Sequence, residues 1–296
     1  MPDLRWDPLG RRSVLLAPER ARRGAPKVER FKPDPAPCDF CGGQESRTPP
    51  ETFSIRHDGS APDTPGWTVR VVPNLYPATP FHEVVVHTPH HLARYDELDA
   101  PEQRDVICTY RERVRAAPTP AVVPVWNRGQ AAGASRSHAH GQIFGLDVIP
   151  PTIERESESF AASDDCVVCG FAKNDDLLVT ELGSYRVIAH PVPWVADELL
   201  VIGPHMPRMT DVADDELAAT ADAFASAVRR SVAAFGDALP FNLVVHTAPA
   251  GVDHFHWHVH LMPRTTVWGG LEMGAELAIV AADPHETAVR LRPADA

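Results

Sequence analysis

The chain has 296 residues, enough for two domains of ordinary size, each with its own core. Its formal net charge of −12 at pH 7 argues against nucleic acid as the main partner, because phosphate neutralisation needs a basic footprint. No apolar run approaches the roughly 18–20 residues of a membrane span, and the opening "MPDLRWDPLGRRS" lacks a signal peptide's apolar stretch, so a cytoplasmic protein without a membrane partner is expected.

The charge is uneven along the chain. Residues 1–32 hold nine of the 28 Lys and Arg, among them Arg11, Arg12, Arg20, Arg22 and Arg23, which makes a basic arm on an acidic protein. Next comes "CDFCGGQESRTPPETF", a loop by its Gly, Pro and Ser content, carrying Cys38 and Cys41. The segments "WTVRVVPNLYPA" and "HEVVVHTPHH" read as strands, the second ending at a proline turn. "DAPEQRDVICTYRERVRAA" reads as a helix, with Asp99 as N-cap, Pro101 in the first turn and Cys108 as a buried helix residue.

The stretch "VWNRGQAAGASRSHAHGQIF", Val125 to Phe144, organises the rest. The Val-rich "AVVPVW" before it predicts a strand, and a Gly/Ala/Ser loop follows. His138, His140 and Gln142 alternate, a spacing that an extended strand turns to one face, with Ser135 in the run just before them. Two imidazoles and a carboxamide on one face make a surface suited to phosphate. A lone HxH reads more simply as surface histidines on a half-buried strand. The pattern recurs, however: "DHFHWHVHLMPR" places His256, His258 and His260 at the same spacing 118 residues later.

The repeat is wider than the histidines. "CVVCG" is followed by strands in "SYRVIAHPVPWVA" and "DELLVIGPH", the long helix "DDELAATADAFASAVRRSVAAFG" and the strand "FNLVVHTAPAG", the order of the first half. The boundary is expected in the Pro, Glu and Ser-rich stretch around residues 148–164, giving domains at 1–155 and 156–296.

Four of the five cysteines form two CxxC pairs, which in a chain without a secretory signal read as metal-binding or redox-active. The 124 residues between Cys41 and Cys166 exceed zinc-ribbon spacing, so each pair is expected to find its partners within its own half. Cys38, Cys41, a histidine of "PHH" and His138 form one Cys2His2 set; Cys166, Cys169, His205 and His256 form another. Two thiolates with two imidazoles suit zinc in a closed, structural tetrahedron. Ungapped alignment with "GPH" points to His90, with His91 as the alternative.

At these residues the chain resembles galactose-1-phosphate uridylyltransferase and its relatives, within the histidine-triad superfamily. The segments that carry the resemblance are "CDFCGGQESRTPPE", "WTVRVVPNLYPA", "HEVVVHTPHH", "NRGQAAGASRSHAHGQI" and "HFHWHVHLMPR". It implies an α+β fold of two histidine-triad-like domains in pseudo-symmetric tandem, with mostly antiparallel sheets and flanking helices, and a homodimer. It also implies two structural Zn2+ sites, with His91 as the ligand beside Cys38, Cys41 and His138. His140 matches the family's nucleophile, Ser135 and Gln142 the residues that contact phosphoryl oxygens, Arg20 and Arg23 an N-terminal arginine pair, and Asn74 and Asn127 nucleotide contacts. The expected function is transfer of a nucleoside monophosphate from a nucleotide sugar to a sugar 1-phosphate through nucleotidyl-His140, first as a UDP-glucose:hexose-1-phosphate uridylyltransferase.

Three departures bear on that expectation. Ala139 replaces the proline of the family's HPHxQ. The stretch "RTTVWGGLEMGAELA" offers none of the Lys, Tyr and Gln that hold hexose phosphate in the galactose enzymes. His260 stands where many relatives have Glu. The second departure, with the second Cys2His2 set, resembles the branch that includes ADP-glucose phosphorylase, and orthophosphate is the alternative acceptor. Two readings from other classes are a hydrolase whose HxHxH holds a catalytic metal and a non-catalytic nucleotide-binding protein.

Overall fold

The computed structural model describes residues 3–23, 34–91 and 94–293. The N-terminal hairpin is β1 (Asp3–Asp7) and β2 (Arg12–Leu16). The first half then supplies β3 (Phe53–Ile55), β4 (Val69–Pro73), β5 (Phe81–Val86), α1 (Ala100–Ala116), β6 (Ala121–Arg128) and β7 (His140–Leu146). Helices α2 (Pro151–Ala161) and α3 (Val167–Ala172) lead to β8 (Leu178–Leu182), β9 (Tyr185–Ala189) and β10 (Leu199–Ile202). Then come α4 (Leu217–Phe235), β11 (Phe241–His246), β12 (His258–Pro263), α5 (Gly270–Ala275), β13 (Ala278–Val280) and α6 (Pro284–Leu291).

Ten strands form one antiparallel sheet, ordered β3-β4-β5-β7-β6-β11-β12-β10-β9-β8. Read outward from the seam between β6 and β11, the first half runs β6-β7-β5-β4-β3 and the second β11-β12-β10-β9-β8. Corresponding strands therefore occupy corresponding places, and the fold is α+β as expected. At the seam Asn127 lies opposite Asn242.

The helix expected at 99–117 forms as α1. Asp99 accepts from the Glu102 N–H while the Glu102 carboxylate accepts from Asp99 N–H, a closed capping box worth about 1 kcal/mol. Val106, Ile107 and Tyr110 of α1, with Phe224 and Val228 of α4, cover one face of the sheet over Val85, Trp126, Ile143, Leu243 and Val259. Cys108 is half-buried rather than buried.

Two features differ from the sequence reading. Residues 151–161, expected within a linker, are helical: Pro151 starts the helix, and Ile153, Glu156, Ser159 and Phe160 turn one buried stripe inward. That stripe packs with Val168, Ile188, Leu200 and Phe255, so α2 covers the second face of the sheet's C-terminal half. The N-terminal hairpin also crosses the expected boundary at 155/156: β2 pairs in parallel with β13, and Val14 and Leu16 pack with Ala278 and Val280.

β7 sits between β5 and β6, with Val84 opposite Gln142 and Val86 opposite His140. Between His140 and Gln142 the helical face is occupied at once: a Cβ on Gly141 would lie 2.1 Å from Tyr110 Oη and 2.3 Å from Trp126 Cδ1. Both side chains are buried in the core, so neither can swing away. Gly141→Ala should therefore destabilise the fold by about 1–3 kcal/mol through overpacking, read as a lower denaturant midpoint at constant slope. A variant with unchanged midpoint would mean that the Tyr110–Trp126 layer is loose.

Candidate active site and metal-binding clusters

The strand that the sequence places around His138 starts later. β7 begins at His140, and residues 134–139 are irregular, so His140 and Gln142 share a strand face while Ser135 and His138 approach from the preceding loop. β12 likewise begins at His258, after His256. Each loop histidine is thereby free to turn its ring away from the strand face and into a cysteine cluster.

Cys38, Cys41, His91 and His138 form the first cluster. Cys38 Sγ lies 3.3 Å from His138 Nδ1, Cys41 Sγ lies 3.4 Å from His91 Nδ1, and the sulfurs are 3.7 Å apart. Ligands about 2.0–2.3 Å from a central ion stand roughly 3.3–3.8 Å from one another in a tetrahedron, so these side chains fit a metal ion. His138 Nε2–H donates to the Thr88 carbonyl at 2.7 Å and His91 Nε2–H to the Asp34 carbonyl at 3.0 Å, which turns each Nδ1 lone pair toward the thiols. It is His91, not His90, whose ring enters. Burial pushes the Cys38 thiol up and holds His138 down to about 4, so without a cation both stay neutral.

Cys166, Cys169, His205 and His256 repeat the arrangement. Both sulfurs lie 3.5 Å from His256 Nδ1, and Cys169 Sγ is 3.4 Å from His205 Nδ1. His256 Nε2–H donates to the Gly203 carbonyl, matching His138. Burial, then the neighbouring Cys166, pushes Cys169 up to about 11.

His140 follows His138 by two residues and is oriented by it: its Nδ1–H donates to the His138 carbonyl at 2.8 Å. Nε2 then carries the lone pair, the state that a nucleophile needs. The packing around the ring lowers its pKa, with Arg136 acting in the same direction against the His138 carbonyl and Asp34. Phe40 packs against the ring with centroids 5.4 Å apart.

His140 opens onto a cleft of about 230 Å³ that Ser135, Gln142 and Asn74 also line. His82, which sequence reasoning passed over, fixes the amide of Gln142. The Ala78 N–H donates to His82 Nδ1, so His82 Nε2–H donates to Gln142 Oε1 at 2.7 Å, and Asn74 Nδ2 donates to the same oxygen. The amide nitrogen of Gln142 is the end left to donate toward the cleft. Asn127 lines a smaller cavity that shares His140, and its Oδ1 accepts from Asn242 Nδ2 across the seam. Arg20 is not brought in: it lines a separate cavity of about 450 Å³ with Trp268 and Arg290, because residues 18–23 follow β2 toward β13. The side chain of Arg23 lies outside the described residues.

His258 matches His140 in backbone terms, its Nδ1–H donating to the His256 carbonyl at 2.8 Å. Its surroundings are opposite. It is 0 % exposed, and α2 brings Glu156 against it. Glu156, His246, His258 and His260 make a third, wholly buried group able to hold a metal ion. His246 Nδ1–H donates to Glu156 at 2.9 Å, His258 and His260 approach to 3.1 Å through Nε2, and His260 Nδ1 meets Glu198 at 2.6 Å. Imidazoles with a carboxylate are a donor set for iron or zinc. Sequence reasoning missed Glu156 because its helix read as linker. His246 was findable, since a strand ending there in register with β12 stands opposite His258.

No family model matches the chain. It is 27 % identical to ADP-glucose phosphorylase of Arabidopsis thaliana, across 98 % of this chain and 92 % of that protein. It is also 27 % identical to galactose-1-phosphate uridylyltransferase of Haemophilus influenzae, across 88 % and 82 %. The crystal structure of the Arabidopsis ADP-glucose phosphorylase with bound ADP-glucose superposes with a TM-score of 0.87 at 25 % identity, each chain covered fully. A uridylyltransferase structure at 23 % identity shares the fold, with a TM-score of 0.75 over 98 % of this chain and 97 % of that one. Fold and relatives define an enzyme of the nucleotidyltransferase class. The resemblance read from the sequence holds: the chain is similar to both galactose-1-phosphate uridylyltransferase and ADP-glucose phosphorylase. Among the described residues no helix is long and apolar enough to cross a membrane.

Each cluster able to hold a metal ion makes a separate prediction. Cys38→Ser should cost one equivalent of bound metal and more than about 3 kcal/mol of stability, since structural zinc contributes on the order of 10 kcal/mol to small domains. Cys166→Ser and Glu156→Gln should each remove a different equivalent, measured by elemental analysis of the purified protein. Unchanged metal content in a variant would show its cluster to be a hydrogen-bonded network only.

Proposed function

We propose that this enzyme moves a nucleoside monophosphate from a nucleotide sugar to a phosphate acceptor through a covalent intermediate on His140, and that its physiological reaction is of the phosphorylase kind. His140 Nε2 attacks the α-phosphorus, and the bond to the bridging oxygen breaks with its electron pair leaving on sugar 1-phosphate. Orthophosphate then takes the nucleotidyl group and releases nucleoside diphosphate. Ser135 and the amide of Gln142 hold the α-phosphoryl oxygens, and Asn74 and Asn127 are the nucleotide contacts. A stable phosphate leaving group needs no strong acid, so positioning carries most of the rate.

The observation that carries the reading is the bond that aims His140: its Nδ1–H is spent on the His138 carbonyl, and its ring lines a cleft with Ser135 and Gln142. A hydrolase using the HxHxH of β12 is disfavoured, because His258 and His260 are 0 % and 3 % exposed and cannot meet substrate. Cys38, Cys41, His91 and His138, and Cys166, Cys169, His205 and His256, would hold structural zinc. Lacking an open coordination position, the first site would anchor the loop that precedes His140 and the second the loop that precedes His258. The homodimer and the cytoplasmic setting belong to the same reading.

ADP-glucose with orthophosphate is the first pair to test, because the likeness to ADP-glucose phosphorylase spans more of both chains. UDP-glucose with galactose 1-phosphate is the second, supported by the uridylyltransferase relatives. Incubation with each nucleotide sugar and intact mass under non-acidic conditions should show an added nucleotidyl group on the wild type. His140→Asn should fold, keep its metal and gain no mass. An adduct of normal yield on His140→Asn would place the nucleophile elsewhere. Chasing the loaded enzyme with orthophosphate or galactose 1-phosphate decides the acceptor.

A further inference from the structure

One charged arrangement in the His140 cleft has no part in the chemistry above. Asp39, between Cys38 and Cys41, bridges two arginines: Oδ1 accepts from Arg47 Nη2 and Oδ2 from Arg136 Nη2, each at 2.7 Å. All three line the cleft with His140, Ser135 and Gln142. Among the described residues lining it, Arg47 and Arg136 are the only Lys or Arg, and Asp39 is the only carboxylate. One carboxylate shared by two guanidinium groups leaves a surplus positive charge, on a protein whose formal charge is −12.

We propose that Arg47 and Arg136 form the subsite for the phosphate that is not transferred, with Asp39 as a built-in counter-ion that yields when a phosphate dianion enters. The proposal rests on the nucleotidyl-transfer reading. That phosphate is the one leaving as sugar 1-phosphate, and later the attacking oxygen's own phosphate in the acceptor. Ser135 and Gln142 are neutral and serve the α-phosphoryl group, so the neighbouring dianion needs cations from another source. Each arginine spends one terminal nitrogen on Asp39, which leaves the rest of a planar fork for bidentate contact with phosphate. Both are partly exposed, with side chains 53 % and 43 % accessible, so an anion can reach them without opening the core. They also sit on different supports. Arg47 ends the short 3-10 turn 45–47, and Arg136 lies in the loop before His138. A phosphate between them would lie in the cleft that His140 lines.

The test compares binding of nucleoside mono- and diphosphates, whose difference reads the second phosphate. By calorimetry, wild type should bind ADP more tightly than AMP, and UDP more tightly than UMP. Arg47→Met/Arg136→Met should keep monophosphate affinity within about twofold and lose the diphosphate preference, roughly 10- to 100-fold for lost charge-assisted bonds. Arg136→Lys should retain part of it, and Asp39→Asn, which frees both arginines, should tighten diphosphate binding several-fold. On enzyme preloaded with nucleotide, the double variant should need correspondingly more acceptor for half-maximal discharge. Orthophosphate and glucose 1-phosphate are used in separate arms to show which phosphate the subsite serves. A double variant with the wild-type diphosphate preference and discharge curve would overturn the proposal, as would Asp39→Asn weakening diphosphate binding. Wild type that forms no adduct, yet shows an arginine-dependent diphosphate preference, would instead refute the transferase reading and leave the subsite standing.

Discussion

His138 is the residue through which the site is tied together. Its Nδ1 faces the two thiols, its Nε2–H is held by the Thr88 carbonyl, and its own carbonyl accepts the Nδ1–H of His140. A ring caught on both sides fixes its backbone, and that backbone fixes the tautomer and aim of the next ring. The Cys2His2 cluster and the proposed nucleophile are therefore one mechanical unit. The Thr88 carbonyl lies just past β5, so the sheet itself is the third support. Gly141 completes the arrangement by letting Tyr110 and Trp126 press on the strand from behind.

The same local pattern gives opposite results in the two halves. His140 and His258 each lie two residues beyond a loop histidine, at the first position of a strand, with the same hydrogen bond to that histidine's carbonyl. What separates them is cover. In the first half, Phe40, Trp67, Val72 and Val84 make a small apolar floor, and a cleft remains beside it. In the second half, α2 lies across the equivalent face and inserts Glu156 among the histidines. A helix read as linker decides which histidine borders an open cleft and which is sealed in.

Much of this was legible in residue order, and the failures have physical causes. The central strands of each half, α1 with its Asp99 cap, α4 and the CxxC-centred groups follow from periodicity, capping and spacing, which are local signals; β1, β2, β3, β8 and β13 did not, and spacing alone pointed to His90 where the resemblance chose His91. Composition could not reveal α2: Pro, Glu and Ser suggest a linker, while one stripe at helical spacing is what buries it. His138 was placed on the strand because alternation was extended upstream of His140, into the irregular stretch that follows Gly133. The bridge of Asp39 to Arg47 and Arg136 joins residues up to 97 positions apart, and no local pattern encodes such a contact. Arg20 shows the reverse limit, since a motif match carries no information about which cavity the arm reaches.

The seam between β6 and β11 has a further consequence. Each half presents there a strand whose outer hydrogen-bonding edge is satisfied only by the other half. Cut apart, either piece would expose an unpaired edge rich in valine, the kind of surface on which chains stack and aggregate. The halves are thus not exchangeable modules on a tether, however alike their strand orders. Any rearrangement that moved one against the other would first have to unzip the middle of a ten-stranded sheet, so adaptation in this architecture is confined to loops, cavity walls and the covering helices.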